Sequence, residues 1–227
     1  MVSIYRSTLG KGHVRRWCTG RLDAWPVPHE RTELTANGAR THVVTAGSGP
    51  VTVVFAAGTH FNAATSLPLA TALIEAGHRV VLPDVPGQPG LSCGGRGLSG
   101  GRLSWYGTWL GEVLDGVTPT GPAVVVGHSF GAAIALSSPS PLIDRLVLVS
   151  PGGLGRLRLT PGLLAASAAW LLRPTPARST RLLRAMLAPN SPPGWPPSCR
   201  RGTPRRRDVT ASPDLGPSGT QAEGTEP

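Results

Sequence analysis

The chain is short of several features that would otherwise narrow its chemistry. Its three cysteines, Cys18, Cys93 and Cys199, are scattered without C-x-x-C spacing. That excludes a disulfide framework and a cysteine zinc site. Only one lysine, Lys11, stands among 22 basic residues, against 12 acidic ones. A net charge of +10 would ordinarily raise nucleic acid or an anionic membrane as a partner. Here arginine supplies nearly all of the positive charge, alongside abundant Ala, Gly and Pro, so the excess reads as a coding bias towards G and C. Aromatics make up 5% of the chain, and no stripe of aromatic and basic residues marks a nucleic-acid surface. No nucleic-acid partner is expected.

Long hydrophobic runs are also missing. The longest, 163–172, is about half of what a bilayer requires, so no membrane partner is expected. No apolar segment of signal-peptide length follows the first basic residues, and a cytoplasmic protein is expected. There is no P-loop, no dinucleotide fingerprint and no His/Asp cluster with ligand spacing, so neither a metal nor an organic cofactor is implied.

What is present fits one α/β domain with appendages. The 227 residues carry 40% hydrophobic and 15% charged residues, with 30 Gly and 24 Pro. This balance suggests a globular part joined to a loop-like part. Residues 1–30 read as a helical appendage with Val14, Trp17, Leu22 and Trp25 on one face, stopped by Pro26 and Pro28. A hairpin follows, 32–35 and 40–45 joined across Asn37-Gly38, the pair that suits a type I′ turn. The run 51–55 predicts a buried strand, and Asn62 or Thr65 opens a helix that Gly77 stops. A second buried strand spans 79–84, and 94–101 reads as a mobile loop. Helical spacing returns over 105–117 through Trp105, Trp109, Leu110, Val113 and Leu114.

The most informative stretch is 122–133, PAVVVGHSFGAA. Its β-branched apolar run has the look of a fully buried parallel strand, and the small apolar residues after it look like a helix. Between them stands Gly127-His128-Ser129-Phe130-Gly131. A G-x-S-x-G between strand and helix is the nucleophile-elbow pattern, whose sharp turn lifts the serine hydroxyl above the sheet edge. Gly127 and Gly131 fall where a Cβ would collide with a neighbouring element. One more strand, 144–151, closes on Gly152-Gly153. Strands separated by helical stretches mean crossovers on a mostly parallel sheet with an antiparallel edge, a three-layer α/β sandwich.

The order of hairpin, glycine-ended strand loop, Asp84-x-Pro86-Gly87-x-x-Gly90-x-Ser92, elbow and Leu146-Val147-Leu148-Val149-Ser150-Pro151 resembles the α/β-hydrolase superfamily. Within it, the chain is most similar to small bacterial esterase- or peroxidase-like members. The resemblance makes Ser129 the nucleophile of acyl transfer on a small ester-like substrate. It gives the oxyanion-hole N–H groups to Phe130 and to Thr59, in the loop Ala57-Gly58-Thr59-His60, where relatives often carry His-Gly in place of Ala57-Gly58. His128 occupies a position that packs beside the elbow in this family. His60 is open as a substrate-binding group or a poorly placed base, and Asp84 matches a loop-bracing position. Asp144 reads as a solvated residue at a strand entrance.

The family triad runs Ser, then Asp or Glu, then His. All six histidines of this chain lie at or before His128. Residues 31–155 read as a partial hydrolase core, incomplete at its C-terminal side, and 156–190 as a cap-like segment with helices over 163–172 and 180–187. From 191 the chain becomes rich in Pro, Gly and Arg and reads as disordered. The expectation is a frameshifted or truncated end that replaces the last strands, leaving the 146–149 strand as an exposed edge open to self-association. Three functions follow. They are a serine esterase, a catalytically inactive member acting as a binding module, and a haloperoxidase- or dehalogenase-like activity. The third needs the same triad as the first.

Overall fold

The computed structural model describes residues 4–5, 7–95, 101–118, 121–152, 160–173 and 175–186. The chain divides into two units, and residues 4–152 and 160–186 are described separately. The expectations for most of the 94–101 loop and for the tail from 191 lie outside the described residues.

In the first unit, six strands form one mixed sheet. They are β1 (His29–Ala36), β2 (Ala39–Ala46), β3 (Thr52–Ala56), β4 (Arg79–Pro83), β5 (Ala123–His128) and β6 (Ile143–Val149). Their spatial order is β1-β2-β4-β3-β5-β6. The β1–β2 and β2–β4 pairs are antiparallel, while β4, β3, β5 and β6 run parallel. The hairpin turn is the one Asn37-Gly38 dictates, with φ of 44° and 72°, the left-handed values that Asn and Gly tolerate best.

The sheet is covered on both faces because its strands alternate their side chains. On one face, Val44, Phe55, Val80 and Leu82 meet Val14, Cys18 and Leu22 of α1 (Thr8–Asp23) and Leu67 and Ala70 of α2 (Leu67–Glu75). On the other, Val43, Val54, Val81 and Val125 meet α3 (Arg102–Val117) and α4 (Phe130–Leu136). Trp105, Trp109, Leu110, Val113 and Leu114 are all buried on α3, as their helical spacing predicts. The Trp109 indole N–H donates to Thr41 Oγ1 at 2.9 Å, so the most buried tryptophan has a polar partner.

Two helix details differ from the pattern reading. The most deeply buried stripe of α1 runs through Val14, Cys18 and Leu22, a spacing of four, and Trp17 packs partly buried against the same core. Trp25 lies beyond the helix end, where its indole N–H donates to Thr71 Oγ1. On the β3 side, Asn62 does open a helical turn, by a reciprocal capping box with Thr65 over Ala63–Thr65. The α-helix itself starts only at Leu67.

β6 pairs with β5 alone among the described residues. Leu146, Val147 and Val149 are 39%, 46% and 44% exposed, although side chains of their kind normally cover both faces of a buried parallel strand. In the second unit, α5 (Pro161–Leu172) and α6 (Pro176–Met186) pack through Ala166, Trp170 and Leu182. The Trp170 indole N–H donates to Ser179 Oγ at 3.0 Å. α6 begins four residues earlier than 180 because Pro176 suits the first helical position, where its missing N–H costs nothing.

Candidate functional site

Of the four non-glycine residues with positive φ among the described residues, three, His60, Ser129 and Ser150, follow the C-terminal ends of β3, β5 and β6. The carboxyl end of a parallel sheet is where open α/β folds bind their ligands, and strained backbone concentrates at such sites. Ser129 has φ 51° and ψ −111°. Its N–H donates to the Val149 carbonyl at 2.9 Å, and its carbonyl accepts from the Gly152 N–H at 3.0 Å. The segment after β6 thus holds the turn in its strained conformation.

The flanking glycines are a packing requirement. A Cβ at 127 would lie 2.5 Å from the Ala132 Cα, and one at 131 would overlap the Ala56 carbonyl oxygen. The Ser129 side chain does not cap α4, and its hydroxyl has no hydrogen-bond partner among the described residues. Nor do the backbone N–H groups of Phe130 and Thr59. Backbone N–H groups left without a partner are the kind of donor that can hold an oxyanion.

Each candidate histidine has a definite place. His128 lies against Gly58, where a Cβ would come within 2.7 Å of its Nδ1. Its ring meets Phe61 edge to face at 5.4 Å. Burial pushes its pKa below the ordinary histidine value, and the same holds for His60. The His60 N–H donates to Gln88 Oε1 at 2.9 Å, while its ring Nδ1 is buried without a partner.

Asp84 is bound into the scaffold. Its carboxylate accepts from the Ala63 and Leu91 N–H groups, both at 2.7 Å, so it ties the loop after β3 to the loop after β4. His42 Nδ1 lies 3.5 Å from that carboxylate. Asp144 is exposed at the start of β6, 3.5 Å from the Arg145 guanidinium. Among the described residues, no group of three His, Cys, Asp or Glu could hold a metal ion, and no helix is long and apolar enough to cross a membrane.

Several neighbours of the site escaped the sequence reading. Gln88 stands at an unassigned position in the Pro-Gly-Gln-Pro-Gly run, where a lone amide among turn residues was the available signal. Phe130 packs edge-on against Tyr106 at 5.1 Å, and the buried Tyr106 hydroxyl donates to the Pro86 carbonyl at 2.8 Å. The Arg102 guanidinium lies over the Phe130 ring, 4.8 Å from its centroid. Nothing local in the sequence marks that contact, since helix packing alone brings α3 to the turn.

The family model described as the alpha/beta hydrolase family matches residues 53–223, most of the chain. The chain belongs to the α/β-hydrolase family. The match runs through the Pro- and Arg-rich stretch in which a break from the family pattern was expected. Among solved structures, this α/β-hydrolase is similar to the carboxylesterase CesB (YbfK) from Bacillus subtilis, with 16% identity and a TM-score of 0.61. The alignment covers 82% of this chain and 64% of that one. It is also similar to the naproxen esterase (carboxylesterase NP) from Bacillus subtilis, with 17% identity and a TM-score of 0.62, over 81% of this chain and 65% of that one. Epoxide Hydrolase A from Mycobacterium thermoresistibile aligns at 22% identity and a TM-score of 0.50, over 66% and 46% of the two chains. The hydrolase chain thus spans less than two thirds of each of these structures, and at such identities they establish its fold. No curated protein matches it.

Proposed function

We propose that this α/β-hydrolase is a serine esterase in which Ser129 is the nucleophile. The observation that carries the reading is the left-handed Ser129, φ 51°, held between β5 and α4 with its hydroxyl unengaged among the described residues. A serine in that turn has its Oγ raised clear of the sheet. Ser129 Oγ bonds to the ester carbonyl carbon, and the carbonyl electrons move onto oxygen, where the Phe130 and Thr59 N–H groups stabilise them. Collapse of that intermediate breaks the bond to the alcohol, which leaves with the proton lost by Ser129. Water then cleaves the acyl–serine ester and restores the hydroxyl. The carboxylesterases with a similar fold support an ester of a small acid as the substrate class.

The acyl transfer also requires a base for the Ser129 proton, and this is where a second reading gains support. No histidine follows His128 in the chain, and His128 itself packs against Gly58 and Phe61. A catalytically inactive member that retains a small-molecule pocket fits those facts. Turnover separates the two readings. Hydrolysis of methyl valerate by the wild type, abolished in Ser129→Ala, supports the esterase. Equal background rates in both proteins support the inactive binder.

A further inference from the structure

We propose that Arg102 is a specificity residue of the Ser129 site and selects esters whose acyl part carries a carboxylate. The inference rests on the esterase reading and names its substrate class.

Arg102 is the first residue of α3, follows Gly101 at the cap, and is exposed. The positive end of a helix dipole disfavours a cation at that position. No acidic residue in the first turn compensates for it. No carboxylate lies within ion-pair distance of Arg102 among the described residues. Local structure therefore gives this charge little reason to be there.

Its tertiary contact points to the site. The guanidinium rests over the ring of Phe130, the residue directly after Ser129. Phe130 is backed by the buried Tyr106, whose hydroxyl is fixed on the Pro86 carbonyl. The arginine thus stands on a braced aromatic pair beside the turn. A guanidinium lying on a ring face keeps its in-plane N–H donors available, and their fork matches a carboxylate. Asp84, whose loop also carries Pro86, is occupied by the Ala63 and Leu91 N–H groups and makes no ion pair with Arg102 among the described residues. His60 and His128 are held towards their neutral forms by burial, so they add little charge of their own.

The test compares monomethyl succinate with methyl valerate, following proton release by the wild type, Arg102→Gln, Arg102→Lys and Ser129→Ala. The ratio of kcat/KM for the anionic over the neutral ester should fall about tenfold in Arg102→Gln, the scale of a charge-assisted contact at an exposed site. Arg102→Lys should keep part of the preference, and added salt should erode the ratio in the wild type but not in Arg102→Gln. A ratio that is the same in the wild type and Arg102→Gln, with hydrolysis still dependent on Ser129, would overturn the role of Arg102 and leave the esterase reading standing. Absence of any Ser129-dependent hydrolysis of either ester would overturn both.

Discussion

Gly131 of α4 lies so close to the Ala56 carbonyl of β3 that a Cβ at 131 would overlap its oxygen. Backbone stands against backbone there, and no flexible side chain can move aside. Gly131→Ala should therefore destabilise the fold by about 3 kcal/mol, at the upper end of overpacking costs. Urea denaturation measures it. A change within about 0.5 kcal/mol, the range of a neutral surface substitution, would show that the turn can relax and that the close approach is not required.

Asp84 gives a second stability prediction. Its two oxygens serve two buried N–H groups on different loops, and its removal strands both. Asp84→Ala should cost about 2–6 kcal/mol, given about 1–3 kcal/mol for each of the two buried groups left unpaired. Because Ala63 follows the Thr59 loop closely, labelling of Ser129 by an activated phosphonate should slow as well. Unchanged stability would contradict the bracing role.

The buried histidines set the direction of a pH effect. His60 and His128 have folded-state pKa values below the ordinary one, in both cases because burial disfavours the charged ring. The unfolded chain therefore takes up protons first as pH falls through about 6.5. Stability from this source is fully present above that value and is lost as pH drops towards the lowered folded pKa. The urea midpoint should fall between about pH 7.5 and about pH 5.5, and fall less in the double variant His60→Gln/His128→Gln. An identical decline in that variant would remove these two histidines as the cause.

The β6 edge predicts association. Val147 is 46% exposed on a strand with neighbours on one side only among the described residues, and unpaired apolar edges template pairing with a second chain. The weight-average mass in sedimentation velocity should rise with concentration, and Val147→Lys should shift it towards monomer. A wild type that stays monomeric at all concentrations and melts cooperatively would contradict this.

The sequence was most readable where one local rule decides the structure. Asn37-Gly38 names its turn, and the β-branched apolar runs of β3 and β4 are buried as such runs predict, whereas β5, predicted fully buried, leaves Val124 and Val126 partly exposed beside β6. Trp105, Trp109, Leu110, Val113 and Leu114 fall on one helical face and are buried there. Gly127 and Gly131 foretold backbone contact that the structure places against Ala132 and Ala56. Reading failed where distant partners decide. On α1, Cys18 is more deeply buried than Trp17, which packs partly buried against the same core, because the sheet surface beneath selects the face. Gln88, Arg102 and the strained Ser150 acquire meaning only when the ends of β3, β5 and β6 are brought together. The role of Asp84 could be guessed from its loop, but its two N–H partners could not.

As the nucleophile of the proposed esterase, Ser129 should be activated towards electrophiles. Incubation with a fluorophosphonate probe, followed by peptide mass spectrometry, tests it directly. A phosphonyl adduct is expected on Ser129 in the wild type and none in a folded Ser129→Ala protein. A wild type that is folded by circular dichroism yet carries no more adduct than Ser129→Ala would contradict it.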